Sequence, residues 1–223
     1  MIHLLLAVIY VSFISLGLPD SLLGAAWPSI YQGLRVPVSY SGVIFCIISV
    51  GTVISSLQSD RLIRKFGAGG VTAISVAMTA AARFGCSASN SFWALCLWAI
   101  PYGLGAGSVD TALNNYVALH FASRHMSWRH CMWGSGAAGG PYIMGAALTR
   151  GAGWQMGYRI ISGMQVVLTI MIVLSLPLWR AKTTADAGEQ EAASAKALNL
   201  NQIIRIPGVK EDLVTIYCYC SLK

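Results

Sequence analysis

Long apolar segments alternate with short polar or charged ones through the first 180 residues of the chain. The longest uncharged run, residues 84–109, has 26 residues. A helix needs about 20 apolar residues to cross a bilayer. The pattern therefore predicts an all-α membrane protein with six membrane-spanning helices, at residues 4–27, 41–58, 71–86, 92–119, 131–148 and 160–179.

Composition agrees with this prediction. Hydrophobic residues make up 56% of the 223-residue chain and charged residues 10%, whereas about 25% of the residues of a soluble domain are charged. The net charge of +7 raises the alternative of a nucleic-acid partner. However, the lysines and arginines stand at the ends of apolar runs and form no basic stripe with interleaved aromatic residues. We expect a lipid bilayer, and no nucleic acid, as the partner.

Two short segments share the pattern Gly-x-x-Asp-[Ser/Thr]. Residues 17–21 read GLPDS and residues 107–111 read GSVDT, 90 positions later. If each copy contains three spans, the second copy enters the membrane upside down relative to the first. This arrangement is the inverted repeat of secondary transporters, whose sites lie near the membrane midplane. The sequence thus predicts a 3+3 inverted repeat with one aspartate in each copy.

The two aspartates of these segments are the main candidates for function. A carboxylate at the centre of a spanning helix costs about 2.5 to 3.5 kcal/mol and usually marks a proton, ion or substrate path. Asp110 is accompanied by Asn114 and Asn115, whose amides suit a polar solute. The alternative for Asp110 is a carboxylate that only holds a neighbouring helix. Asp20, beside Pro19, is the second candidate, and its alternative is simple hydration near the outer side.

Lysine and arginine positions indicate orientation. The loops after spans two, four and six contain seven of these residues, Arg129 among them, and the loops after spans one, three and five contain three. The positive-inside rule then places both termini in the cytoplasm. Arg83, inside the third span, has two interpretations: its side chain reaches the outer interface, or it is a countercharge to Asp20.

The remaining chain carries few chemical signals. Residues 1–180 form the predicted bundle, residues 181–211 a cytoplasmic linker, and residues 212–223 the beginning of a seventh span, so the chain resembles half of a larger protein. The six cysteines lie mostly in apolar runs, which favours buried thiols over disulfides or metal ligands. We expect no cofactor, no metal site and no enzymatic activity.

Three motifs resemble the amino-terminal half of a major facilitator superfamily transporter. The turn after the second span is similar to the superfamily's Gly-x-x-x-Asp-Arg-x-Gly-Arg-Arg signature, although Ser56 and Ile63 replace its glycines. The stretch from Gly136 to Gly145 resembles the glycine-proline motif of the fifth span. The stretches 17–28 and 103–115 are most similar to the fucose-permease-like, sugar-transporting branch. The charged positions of the signature correspond to Asp60, Arg61, Arg64 and Lys65.

The resemblance implies roles for these residues. Asp20 and Asp110 match the carboxylates of the first and fourth spans in that branch, and the signature residues would form a cytoplasmic gate. The pairs Gly103–Gly107 and Gly136–Gly140 are predicted to be close helix-packing sites. Trp27, Trp133, Tyr142 and Gln165 are further candidates for lining a sugar site, with packing as the alternative for each.

These observations predict proton-coupled symport of a small polar solute, a sugar, across the bacterial inner membrane. The chain would work as half of a transporter, with a second six-helix half or a second copy of itself as its partner. One alternative is antiport export of drugs or metabolites, which the fifth-span motif suggests. Another is a truncated half-transporter with no activity alone.

Overall fold

The computed structural model describes residues 2–121 and 123–185, together with residues 208, 209, 211, 214 and 215. The chain divides into a compact unit, Met1–Arg180, and a second unit, Ala181–Lys223. The predicted linker and seventh span lie almost entirely outside the described residues. Six helices are assigned in the described part: α1 (Ile2–Asp20), α2 (Leu22–Leu34), α3 (Tyr40–Ser87), α4 (Phe92–His120), α5 (Ser123–Thr149) and α6 (Gly153–Ala185).

The first predicted span is broken where the sequence suggested a break. Pro19 lies inside α1, the helix ends at Asp20, and α2 begins at Leu22. Proline has no N–H, so it leaves the carbonyl of Ser15 without its helical donor. The side-chain amide of Gln165 on α6 lies 3.5 Å from that carbonyl oxygen. The break is thus supported from a neighbouring helix, as a polar backbone group within a bilayer requires.

The second and third predicted spans form one helical element with a kink. Gly67, at φ 73° and ψ 160°, is the non-helical residue inside α3. This backbone conformation is accessible to glycine at little cost. The charged segment was predicted as a turn over residues 60–67, but the helix continues through Phe66. The prediction was wrong about the local structure because residues 60–66 contain no helix breaker.

Glycines bring two pairs of helices into backbone contact. A β-carbon at Gly136 of α5 would lie 2.0 Å from the carbonyl oxygen of Ile14 in α1. A β-carbon at Gly107 of α4 would lie 2.4 Å from the carbonyl oxygen of Thr52 in α3. Gly103 and Gly140 meet backbone carbonyls of α3 and α1 in the same way. The structure therefore confirms both predicted glycine pairs as close-packing sites.

The buried side chains form two clusters, which meet near the break in the first span. One contains Leu22 and Ile30 of α2 with the beginning of α4 and Met144 of α5. The other contains Ile9 and Phe13 of α1 with the end of α4 and part of α6. Leu16 of α1 belongs to the second cluster, whereas Leu18 of α1 already belongs to the first. The first span therefore changes its packing partners just before its break at Asp20.

Four helical segments of the described chain are long and apolar enough to cross a membrane: Leu5–Leu34, Tyr40–Ser87, Phe92–His120 and Gly153–Pro177. The second of these is the kinked α3, which has 48 residues. Helix α5 is not among them, and its first half carries Arg124, His125, Arg129 and His130. Length and hydropathy thus establish a helical membrane protein, and the predicted count of six spans remains a prediction.

Candidate functional site

Asp20 lies at the end of α1 with its carboxylate held by two neighbouring helices. The hydroxyl of Tyr102 on α4 donates to Oδ1 at 3.1 Å, and the indole N–H of Trp133 on α5 donates to Oδ2 at 3.0 Å. The next residue, Ser21, donates its hydroxyl to the carbonyl of Ala137 on α5 at 2.6 Å. The broken end of α1 is therefore fixed to both α4 and α5.

Arg83 stands behind this carboxylate rather than at the membrane surface. Its residue is 4% exposed, and its guanidinium lies 3.6 Å from the ring centroid of Tyr102. Nη2 donates to the carbonyl oxygen of Pro19 at 3.0 Å. The interpretation in which Arg83 reaches the outer interface is wrong, because the side chain is enclosed by the bundle. Its charge acts electrostatically on Asp20.

A small cavity adjoins the guanidinium. Arg83, Tyr102 and Tyr158 form its polar wall, and apolar residues including Leu23, Ile44 and Leu95 line the rest. The ring of Tyr158 lies 5.5 Å from the guanidinium, on α6. Two aromatic faces thus stabilise the buried cation by cation–π attraction, which is stronger in a desolvated setting.

Asp110 is held differently. Nη1 of Arg129 on α5 lies 3.8 Å from Oδ1, and the amide of Asn114, one turn further along α4, donates to Oδ2 at 3.1 Å. The Asp110 side chain is 58% exposed. Arg129 is 7% exposed, with its guanidinium 5.2 Å from the ring centroid of Phe13. The carboxylate therefore faces the open surface of the described bundle while its arginine is buried beneath it.

The two carboxylates meet successive turns of one helix. Arg129 contacts Asp110 and Trp133 contacts Asp20, and these α5 residues are four positions apart. Residues with this spacing lie on the same face of a helix. Helices α1, α4 and α5 together therefore present a continuous polar strip, which we call the aspartate strip: Asp20, Tyr102, Asp110, Asn114, Arg129 and Trp133.

The other candidate residues are distributed around this strip. Asn115 is exposed one position after Asn114, and Tyr142 on α5 is 80% exposed. Trp27 is buried and donates its indole N–H to the carbonyl of Val38 at 2.8 Å. Gln165 is 1% exposed and supports the helix break. Trp27 and Gln165 thus contact backbone carbonyls in the interior, which is the packing alternative, and their role in lining a sugar site stays a prediction.

The four signature residues lie at the end of the first half of α3. Asp60, Arg61, Arg64 and Lys65 are all exposed. Within the described part of the chain, no ion pair joins Asp60 to a basic residue, and the Lys65 ammonium lies 5.3 Å from the ring centroid of Phe66. These residues take no part in the aspartate strip, and their role as a gate remains a prediction.

Sequence reasoning missed Arg129. Its position was assigned to the loop after the fourth span and counted as a topology signal, but α5 already begins at Ser123. Arg129 is buried, and it belongs to this helix rather than to a loop. The spacing of four residues between Arg129 and Trp133 was the available signal, because it places a cation and an indole donor on one face.

Where the structure describes the chain, no group of three or more His, Cys, Asp or Glu side chains could hold a metal ion. The strip instead combines two carboxylates, one arginine and neutral hydrogen-bond donors. Such a set can bind and release protons and can hold a polar solute by hydrogen bonds and charge.

The fold and this strip define a helical membrane protein with charged groups on the exposed side of its bundle. The sequence matches the family model of the Major Facilitator Superfamily over residues 9–222, and the chain belongs to that superfamily. It is therefore a membrane transport protein for small solutes. Among individually curated proteins, no sequence matches the chain significantly.

Proposed function

We propose that the chain takes part in proton-coupled symport of a small polar solute, a sugar or sugar derivative, and that Asp20 and Asp110 are its proton-binding groups. The observation that carries this proposal is the attachment of two exposed carboxylates to successive turns of α5, Asp20 through Trp133 and Asp110 through Arg129. Ionisable groups within a membrane bundle are costly and usually mark such a path.

The proposed cycle depends on the charge of the strip. In the charged form, the aspartates attract protons from the side to which the site is open. Closing the bundle around an ionised carboxylate would be expensive, because the charge would lose its water. A protonated carboxyl with a bound solute avoids this penalty, and in the empty form the buried arginines offset it. These two forms are therefore the ones that change orientation, which couples solute movement to the proton.

The helix contacts support the proposed 3+3 inverted repeat. Gly17 of the first copy packs on the Trp133 carbonyl of α5, and Gly107 of the second copy packs on the Thr52 carbonyl of α3. In terms of predicted spans, the first contacts the fifth and the fourth contacts the second. A pseudo-two-fold axis between the copies would exchange these two contacts. Movement would then be rocking of this bundle against a second one around the open surface.

The direct test is replacement of Asp110 by Asn in membrane vesicles that support proton-driven uptake of a labelled solute. The expected result is loss of accumulation of at least about tenfold, because the neutral amide cannot carry the proton. Asp110→Glu, which keeps an ionisable carboxyl, should retain measurable accumulation. Wild-type accumulation by the Asn variant would refute the coupling role.

A second candidate function is export by antiport, favoured by the stretch from Gly136 to Gly145 in α5. Its glycines pack against α1: a β-carbon at Gly140 would lie 2.3 Å from the carbonyl of Leu18. Growth protection against toxic compounds, without uptake of labelled sugars, would select this alternative. The oligomeric state measured by native mass spectrometry in mild detergent would show whether a second copy supplies the partner bundle.

A further inference from the structure

We infer that the transported solute is a sugar-sized monoanion, such as a sugar acid with one carboxylate, and that it binds together with one proton. This inference rests on the proposed coupling role of Asp20 and Asp110 and adds the charge of the solute. It follows from an inventory of the charged groups of the aspartate strip and the buried residue behind it.

The positive charges are fixed. Arg83 is 4% exposed and Arg129 is 7% exposed, and an arginine side chain keeps its proton inside proteins. The Nε–H group of each arginine has no hydrogen-bond partner in the described part of the chain. Two buried guanidinium groups therefore remain charged and incompletely satisfied throughout the proposed cycle.

The negative charges are the two carboxylates. Asp20 faces Tyr102 and Trp133 at hydrogen-bond distance, and Arg83 and Asp110 are the charged groups that act on it electrostatically. Asp110 faces Asn114, Arg129 and His130. When both carboxylates are ionised, they balance the two arginines.

His130 contacts the arginine of this pair. Nη2 of Arg129 lies 2.8 Å from Nε2 of His130. Because arginine has only donors, this ring nitrogen is the acceptor in the contact. The four charged groups sum to zero in the empty, ionised state.

Protonation of either aspartate changes that sum to plus one. Because Arg83 and Arg129 are buried, a guanidinium that loses its compensating carboxylate is strongly unfavourable. A neutral sugar would leave the excess charge in place, whereas a bound monoanion restores neutrality. Proton and monoanion consequently favour each other's binding by the same factor, as thermodynamic linkage requires.

The available donors also suit a carboxylate. The hydroxyl of Tyr102 and the indole N–H of Trp133 each donate to one oxygen of the Asp20 carboxylate. The same two types of donor can serve the carboxylate of a solute at the open surface once Asp20 has been protonated. A proton and a monoanion crossing together transfer no net charge.

The first experiment measures melting temperatures of the purified chain in detergent with two matched pairs of compounds. The pairs are D-glucuronate with D-glucose, and D-galacturonate with D-galactose, at acidic and at neutral pH. We expect the acid of at least one pair to raise the melting temperature by about 2 °C or more above its neutral partner, with the larger rise at acidic pH. Equal effects, a preference for the neutral sugars, or no rise with any compound would overturn the inference.

Substitutions test whether Arg129 causes the preference for the sugar acid over the neutral sugar. Arg129→Gln should abolish the difference between acid and neutral sugar, and Arg129→Lys should retain part of it, because lysine keeps the charge. Arg159→Gln changes an exposed arginine of α6 outside the strip and should leave the difference intact. If the Gln variant does not fold, the comparison of Arg129→Lys with Arg159→Gln decides: an unchanged preference in both would count against the role of Arg129.

A second measurement separates this inference from the proposed function. In vesicles, uptake of labelled glucuronate or galacturonate should follow an imposed pH gradient and should not respond to an imposed membrane potential. Potential-driven uptake would overturn the monoanion assignment. Proton-driven uptake of the neutral sugars alone would support the proposed symport but refute the inference that the solute is a monoanion. Conversely, acid-selective binding with full accumulation by Asp110→Asn would remove the coupling role of that residue.

Discussion

Residues 17–21 and 107–111 share one sequence pattern but use it differently. In both segments the glycine lies against the backbone of a neighbouring helix: Gly17 on α5 and Gly107 on α3. The aspartate follows three positions later in each case. However, the first helix ends at Asp20, whereas α4 continues without interruption through Asp110 to His120.

The residue after each aspartate shows the same divergence. Ser21 donates its hydroxyl across the helix interface to Ala137, and Thr111 donates within its own helix to Gly107 at 2.9 Å. The two carboxylates also have different hydrogen-bond and ion-pair partners. Asp20 has neutral donors with a cation behind them, and Asp110 has its arginine at 3.8 Å. A repeated pattern thus preserves helix packing while the surroundings of the acidic group diverge.

The largest expected effect comes from filling the shared glycine positions. A β-carbon would lie 2.1 Å from the Trp133 carbonyl oxygen at Gly17 and 2.4 Å from the Thr52 carbonyl oxygen at Gly107. Because both obstacles are backbone atoms, the helices must separate. Gly17→Ala and Gly107→Ala should each lower the free energy of unfolding by about 3 kcal/mol. Thermal unfolding in detergent measures this change.

Two other glycines provide controls. Gly24 on α2 and Gly134 on α5 have no atom within 4 Å of an added β-carbon. Alanine there should be neutral or stabilising by about 0.5 kcal/mol, since alanine is the better helix former. If Gly17→Ala and Gly134→Ala melted at the same temperature, the close contact between α1 and α5 would be disproved.

A smaller effect is expected from the cation that serves only the first segment. Arg83→Met removes the hydrogen bond to Pro19 and the cation–π contact with Tyr102 while keeping an apolar stem. We expect a loss of about 2 kcal/mol in the free energy of unfolding, in the range for a buried hydrogen bond from a charged group. Arg159→Met, at an exposed position of α6, should change it by less than about 0.5 kcal/mol.

The effect of Arg83→Met distinguishes two explanations of how the break after α1 is stabilised: by Arg83, or by Ser21 and Gln165 alone. If Arg83 stabilises the end of α1, the Met variant should also increase the reactivity of a cysteine introduced at Ser21 toward a water-soluble thiol reagent. Unchanged melting and unchanged reactivity, relative to Arg159→Met, would mean that Ser21 and Gln165 hold the break without the arginine.

The sequence was sufficient for features that depend on local chemistry. Pro19 next to Asp20 predicted the interruption of the first span, because a proline removes a backbone donor wherever it stands in a helix. The glycine pairs of α4 and α5 predicted close packing, since only glycine permits such contact. The position of Asp110 in a long apolar run predicted a polar site. Each inference needed only residues within one helix.

Features that depend on contacts between helices were not predictable in this way. Arg83 has both an interfacial and a buried interpretation until Tyr102 and Tyr158 are seen around it. Arg129 looked like a loop residue because the beginning of α5 has no apolar signal. Similarly, Trp133 and Gln165 were equivalent candidates in the sequence. Only the packing of α1 against α5 and α6 distinguishes the donor to Asp20 from the residue that supports the break.

The smallest effects should separate the two carboxylates by the donors that they use. Tyr102→Phe removes a hydroxyl that is buried with its ring, and it leaves the ring face for Arg83. We expect a loss of about 1 kcal/mol in the free energy of unfolding, the usual value for one buried hydrogen bond. Asn114→Ala removes the donor to Asp110, whose carboxylate is accessible to water, so the loss should stay below about 0.5 kcal/mol.

Removal of the acceptor provides the control for this comparison. In an Asp20→Asn background, Tyr102→Phe should cost less than it does in the wild-type chain, because the charge that strengthened the hydrogen bond is absent. In an Asp110→Asn background the cost should be unchanged, since Tyr102 does not contact Asp110. Equal costs in all three backgrounds would show that the Tyr102 hydroxyl does not stabilise the Asp20 carboxylate, and the contrast between the two segments would then be reduced to the helix break itself.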